Sequence, residues 1–105
     1  MPHLNDVKGK VIVPGLYGRF VHGESMTLSF VDIEPGAELA VHSHPHEQMG
    51  LLLEGELTFT IGGETKTLHP GDMWRIPGHV IHSAVAGDTP VKALDVFHPI
   101  REDYR

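Results

Sequence analysis

The stretch GAELAVHSHPHEQMGLLLEG, Gly36 to Gly55, decides how this chain is read. Leu39 to Ser43 reads as a strand, and Gln48 to Leu53 begins a second, more apolar one. Residues two apart on a strand point to the same face, about 6.6 Å apart along it. His42 and His44 therefore converge, and two imidazoles so placed can share one metal ion at about 2.0–2.1 Å per bond. Pro45 interrupts the strand, so strict alternation need not continue through His46. Gln48 follows four residues after His44, and its side-chain oxygen offers a third, neutral donor.

Outward from this stretch no segment shows apolar residues at helical spacing. Short runs rich in Val, Ile, Leu, Phe and Thr alternate with Gly and Pro. Strands are predicted near Lys10–Val13, Met26–Ile33, Leu39–Ser43, Gln48–Leu53, Glu56–Ile61, Glu64–Leu68, Met73–Ile76, Ile81–Ala86 and Val91–His98. Gly62-Gly63 supplies the positive φ angles of a tight hairpin. Further reversals fall at Glu54-Gly55-Glu56, Pro70-Gly71-Asp72 and Pro77-Gly78. Short strands at this spacing define an all-β sandwich or barrel. The charged end, Arg101 to Arg105, is expected to be a short tail or helical turn.

A chain of 105 residues is the size of one domain, expected over residues 1–105. Cysteine is absent, which excludes thiolate metal sites and cysteine nucleophiles. A net charge of −6 with no basic run argues against nucleic acid. No wholly apolar run exceeds three residues, as in Leu51-Leu52-Leu53, far short of a membrane span. Met1 to Asp6 lacks the cationic and apolar regions of a signal peptide, so a cytoplasmic protein is expected.

Nine histidines are well above ordinary usage for this length. A His-x-His pair alone is more often surface decoration than a metal site. His82, on a separate later strand, is the residue able to close a site inside a barrel. His3, His22, His69 and His98 read as ordinary exposed or hydrogen-bonded residues, and His46 and His79 as groups near the pocket rim. Asp95 is unexpected between Leu94 and Val96 on an apolar strand, because a buried carboxylate is costly unless paired or functional. It shares a face with Phe97, Val91 and Ala93. Arg101, just past Pro99, either clamps a carboxylate at the pocket mouth or forms an ion pair with Asp95 that ties down the C-terminus. Trp74 and Tyr17 read as packing or rim aromatics.

The glycines and prolines around the histidines resemble the two motifs of the cupin family. Gly36, His42, His44, Gln48 and Gly55 keep every spacing of the first motif, with glutamine where that motif has glutamate. Gly71, Pro77 and His82 fit the second, with His79 at its glycine position and Ala86 at its asparagine. The resemblance implies a double-stranded β-helix, or jelly-roll barrel, with a metal inside. The ligands it implies are His42, His44, Gln48 and His82. Glu47 lies one residue off the motif and faces the other way on a regular strand. Three imidazoles and a neutral amide suit a divalent transition metal, nickel or zinc first and manganese or iron next, rather than magnesium or calcium. They also leave the ion a stronger Lewis acid than a carboxylate would.

A closer resemblance is to the KdgF group of small cupins. It is carried by His42-Ser43-His44-Pro45-His46-Glu47-Gln48, the Ile61 to Thr65 hairpin, and Asp95-Val96-Phe97 with Pro99, Arg101, Glu102 and Asp103. That group converts 4,5-unsaturated monouronates from pectin or alginate to linear 4-deoxy-5-keto uronates. The resemblance implies an isomerase in which Asp95, Arg101 and Phe97 are the functional residues, and the partner a small unsaturated uronate. Rival expectations are metal-dependent dioxygenase chemistry and a non-enzymatic sugar-binding barrel. A homodimer is also expected, since small barrels tend to pair or cover exposed edges such as Val11-Ile12-Val13.

Overall fold

In the computed structural model, which describes residues 1–105, ten strands follow one another with short turns. They are β1 (Lys10–Val13), β2 (Leu16–His22), β3 (Thr27–Ile33), β4 (Glu38–His42), β5 (Glu47–Glu54), β6 (Leu57–Ile61), β7 (Glu64–Leu68), β8 (Met73–Ile76), β9 (His82–Ala86) and β10 (Val91–His98). Single 3-10 turns cover Leu4–Asp6 and Glu102–Tyr104. No helix is long and apolar enough to cross a membrane.

All strand pairs are antiparallel and form two sheets. One has six strands in the order β1-β2-β3-β10-β5-β8; the other has four, β4-β9-β6-β7. Facing each other, they make the jelly-roll barrel that the sequence leads one to expect. The alternation in β10 is typical: Val91, Ala93, Asp95 and Phe97 are buried, while the residues between them face outward. Leu52, Ile76 and Val91 are almost wholly buried. Each such side chain contributes about 1.5–3 kcal/mol by leaving water. The core continues through Leu57, Phe59, Trp74 and Ala84, packing the two sheets together.

The sequence reading did not anticipate β2. Its inward positions are Leu16, Gly18, Phe20 and His22, so a glycine and a histidine interrupt the apolar alternation. The strand is held by full pairing with β3, from Leu16 opposite Ile33 to His22 opposite Thr27. The Gly62-Gly63 hairpin is as expected, with φ of 56° and 87° joining β6 to β7.

His79 is the only non-glycine residue with positive φ, at 67°. It occupies the motif position where other sequences carry glycine, and the left-handed backbone explains why. His79→Gly should therefore stabilise the fold by about 0.5–1 kcal/mol, relief of strain being partly offset by unfolded-state entropy. Urea denaturation would show this as a raised midpoint; an unchanged or lower one would mean that the imidazole compensates for its own strain.

Candidate metal centre

Strand register brings the histidines together. In the β4–β9 pair His42 lies directly opposite His82, with ring centroids 4.1 Å apart. A register shift between Leu39 and His42 lets both of these residues face inward while Val41 stays exposed. Beyond β4 the burial alternates without a break through His42, His44, His46 and Gln48. Pro45 does interrupt the strand, and the chain bends at Pro45 and His46, yet the alternation of burial carries through. The loop is braced from behind, where His79 donates its backbone N–H to the His44 carbonyl at 2.7 Å. The role of His79 here is carried by its backbone.

The nearest ring nitrogens of His42, His44 and His82 all lie within 4.8 Å of one another. Nδ1 of each ring faces a main-chain carbonyl two residues away. His42 bonds Ala40 at 2.8 Å, His44 bonds His46 at 3.1 Å, and His82 bonds Val80 at 2.9 Å. A neutral imidazole carrying its hydrogen on Nδ1 keeps the Nε2 lone pair for a metal. His82 Nε2 is buried and has no hydrogen-bond partner. A buried ring nitrogen with a free lone pair and no protein partner is suited to metal ligation, so the residues fit a divalent transition metal.

Electrostatics favour the neutral, ligating form. Burial, then the positive charge of Arg101 and the neighbouring His82, lowers His44 to about 4, against the opposing effect of the Gln48 Oε1 and His46 carbonyl oxygens beside its ring nitrogens. His82 is lowered chiefly by burial.

Gln48 is buried at the start of β5 and bridges two groups. Its Nε2 donates to Asp95 Oδ1 at 3.0 Å, and its Oε1 lies 3.1 Å from His44 Nε2. Because a carboxyl acceptor claims the amide nitrogen, the amide oxygen is turned toward the histidines. Glu47, one residue earlier, is exposed.

Asp95 also accepts from Trp74 Nε1 at 2.8 Å. Trp74 packs in the core as expected, but it is also a hydrogen-bond donor to the site, a role alternation alone could not reveal. Burial pushes Asp95 up to about 6, against the hydrogen bonds from Gln48 and Trp74 and the charge of Arg101. No ion pair joins Asp95 to Arg101. The guanidinium instead binds Asp103 through two hydrogen bonds, Nε to Oδ1 at 3.0 Å and Nη2 to Oδ2 at 2.8 Å.

Arg101 is nevertheless buried, and it lines the barrel cavity together with His42, Gln48, His82, Asp95 and Phe97. Its Cζ lies over the rings of Phe97, at 4.7 Å, and Tyr104, at 4.1 Å. Tyr104 in turn stacks on Phe20 of β2, with centroids 4.4 Å apart. The backbone N–H of Arg101 donates to the buried Thr27 hydroxyl at 3.0 Å. Sequence reasoning missed Tyr104 and the part played by Asp103, because the C-terminal segment reads simply as charged. His46 is anchored through Nε2 to the Ile100 carbonyl at 3.1 Å, and its Nδ1 is buried without a partner. Tyr17 is exposed beside Arg19, away from the cavity.

A two-sheet β-barrel with a histidine metal centre within it is the architecture of one broad class of proteins. The family model described as "Cupin domain" matches residues 29–97, and the chain belongs to the cupin family. An RmlC-like cupin from Shewanella frigidimarina superimposes with a TM-score of 0.93 at 30% identity, over 100% of this chain and 95% of that one. KdgF from Halomonas sp. superimposes with a TM-score of 0.87 at 29% identity, over 94% of this chain and 92% of that one. AerE from Microcystis aeruginosa gives 0.83 at 26% identity, over 88% of this chain and 45% of that one. No curated protein matches the chain in sequence.

Two outcomes follow for the site. Zinc or nickel at a hundredfold excess over its dissociation constant should stabilise the folded chain by about 2.7 kcal/mol in thermal melts. His82→Ala should lose this stabilisation and the bound metal in elemental analysis; full retention of metal would remove His82 from the ligand set. The second outcome concerns Asp95, whose folded carboxyl holds its proton up to about pH 6 against an ordinary value of 3.8. The resulting stabilisation is complete below pH 4 and lost as pH rises through 6. Metal-free Asp95→Asn should then be more stable than the parent at pH 7, by up to about 3 kcal/mol, with the gap closing toward pH 4. A gap of opposite sign at pH 7 in denaturant melts would contradict the burial cost assigned to this carboxyl.

Proposed function

We propose that this chain is a metal-dependent isomerase that opens the ring of 4,5-unsaturated monouronates and yields linear 4-deoxy-5-keto uronates. The observation that carries the reading is a buried carboxyl, Asp95, facing the same cavity as His42 and His82 of the metal-competent histidine cluster and a buried guanidinium. Likeness to KdgF from Halomonas over nearly the whole of both chains supports it.

In this reading His42, His44, His82 and Gln48 hold the metal, nickel or zinc ahead of manganese or iron. When bound, the dication supplies Lewis-acid stabilisation of negative charge developing on a substrate oxygen. Arg101 binds the substrate carboxylate, and Phe97 packs against the flat unsaturated ring. Asp95 takes the proton of the C1 hydroxyl as the bond between C1 and the ring oxygen breaks. C1 becomes the aldehyde, and the former ring oxygen remains on C5 as an enolate. Asp95 then delivers the proton to C4, and C5 becomes the ketone. Atoms and electrons balance within one substrate molecule, so neither water nor a redox partner is consumed. A carboxyl raised to about 6 exchanges a proton readily in both directions near neutral pH.

The test loads the protein with metal, adds 4,5-unsaturated galacturonate or the alginate-derived monouronate, and follows loss of the enol-ether absorbance under nitrogen. No acceleration over buffer with zinc, nickel, manganese or iron would overturn the reading. Asp95→Asn should lower kcat by about a hundredfold or more with metal content unchanged. Arg101→Lys, which keeps the charge but loses the planar fork, should act mainly through a KM raised about tenfold.

A further inference from the structure

Asp95, Gly50 and Trp74 form a single row across three strands. Asp95 of β10 lies opposite Gly50 of β5, and Gly50 lies opposite Trp74 of β8. The middle member has no side chain, and it has no room for one. A Cβ on Gly50 would run into the indole Cε2 and Nε1 and into Asp95 Oδ1. The space above this glycine is filled by the hydrogen bond between Trp74 and Asp95, so the indole crosses over β5 to reach a carboxyl two strands away.

That bond falls on a particular oxygen. Trp74 Nε1 and Gln48 Nε2 both donate to Oδ1, at 2.8 and 3.0 Å. A carboxyl oxygen offers two lone-pair sites, so Oδ1 is fully used, whereas no protein group hydrogen-bonds Oδ2. Trp74 is itself fixed by burial and by Phe59, whose ring centroid is 5.2 Å away.

We propose that Trp74 is a positioning residue: with Gln48 it occupies Oδ1 of Asp95 and so makes Oδ2 the atom that exchanges protons with the substrate. Gly50 is the complementary requirement, the gap through which the indole reaches its partner. The inference rests on the role given to Asp95 in the proposed reaction. Without the indole donor the carboxyl turns more freely about its Cβ–Cγ bond, and the wrong oxygen faces the substrate for part of the time.

Trp74 is the chain's only tryptophan, so its indole N–H gives one resonance in nitrogen-15-labelled protein. With the metal-loaded protein, Asp95→Asn should leave that resonance near its parental position, because Asn Oδ1 accepts the same bonds. Asp95→Ala should move it upfield and speed its exchange with water. Trp74→Phe keeps an aromatic ring in the core and removes the donor. Its kcat should fall about ten- to a hundredfold, the worth of one hydrogen bond to a charged group, with KM and metal content near parental values. Gly50→Ala should lower kcat likewise by displacing the indole. An indole resonance unmoved in folded Asp95→Ala, or parental kcat in Trp74→Phe, would overturn the proposal; if Asp95→Ala does not fold, Trp74→Phe decides it. Absence of turnover in the parent protein would overturn the uronate assignment and with it the proton exchange at Oδ2, whereas the resonance needs no substrate and separately decides whether Trp74 holds Oδ1.

Discussion

The site depends on how three imidazoles are tied at Nδ1. Ala40, His46 and Val80 supply main-chain carbonyls, each two residues from the ring it binds. These acceptors belong to the backbone, so they are placed by the sheets and the braced loop, without reliance on other side chains. With Nδ1 committed, the Nε2 atoms are left to face one another, and burial disfavours a second proton on His44 and His82. The same low-dielectric setting that makes charge costly in the barrel keeps the rings in the form that binds metal. The register shift in β4 and the left-handed backbone at His79 both belong to this constraint. The first turns His42 inward, and the second lets a backbone N–H hold the loop bearing His44.

From the histidines, polar contacts run back into the core without interruption: His44 to Gln48, Gln48 to Asp95, and Asp95 to Trp74. Each link fixes the orientation of the next. The carboxyl oxygen decides which way the Gln48 amide faces, and the indole decides where that oxygen sits. The candidate site and the packed core of the barrel are therefore continuous, with Trp74 belonging to both. A carboxyl placed at such depth is destabilising in its charged form, and its two N–H donors offset only part of that cost.

The sequence made much of this legible, for identifiable reasons. His42 and His44 declare themselves by spacing, and His82 by its position behind Pro77. Gln48 stands where a motif needs a ligand, and Asp95 stands out as a lone carboxylate in an apolar strand. Alternation reports which face a residue occupies, but it says nothing about which residue lies beside it two strands away. The bond from Trp74 to Asp95 was hidden for that reason, although Gly50 in an otherwise apolar strand was a trace of it. Strand β2 was hidden because Gly18 and His22 dilute its inward face. Asp103 and Tyr104 were hidden by a charged context that reads as solvent-facing.

Those two residues decide what Arg101 can do. Asp103 takes Nε and one hydrogen of Nη2, and the guanidinium is buried beside the rings of Phe97 and Tyr104. Tyr104 is held against Phe20, and the Arg101 backbone is held by Thr27, so the whole C-terminal turn is docked on the barrel. The edge of the guanidinium left for another acceptor is the one bearing Nη1. A side chain immobilised in this way loses little further entropy when it meets an anion, and the anion is met from one direction only. On a chain of net charge −6, a buried cation at the cavity is also a local reversal of sign. Low-dielectric walls concentrate its field inward, toward the imidazoles and Asp95, which is where a carboxylate-bearing ligand would have to be drawn against the charge of the surface.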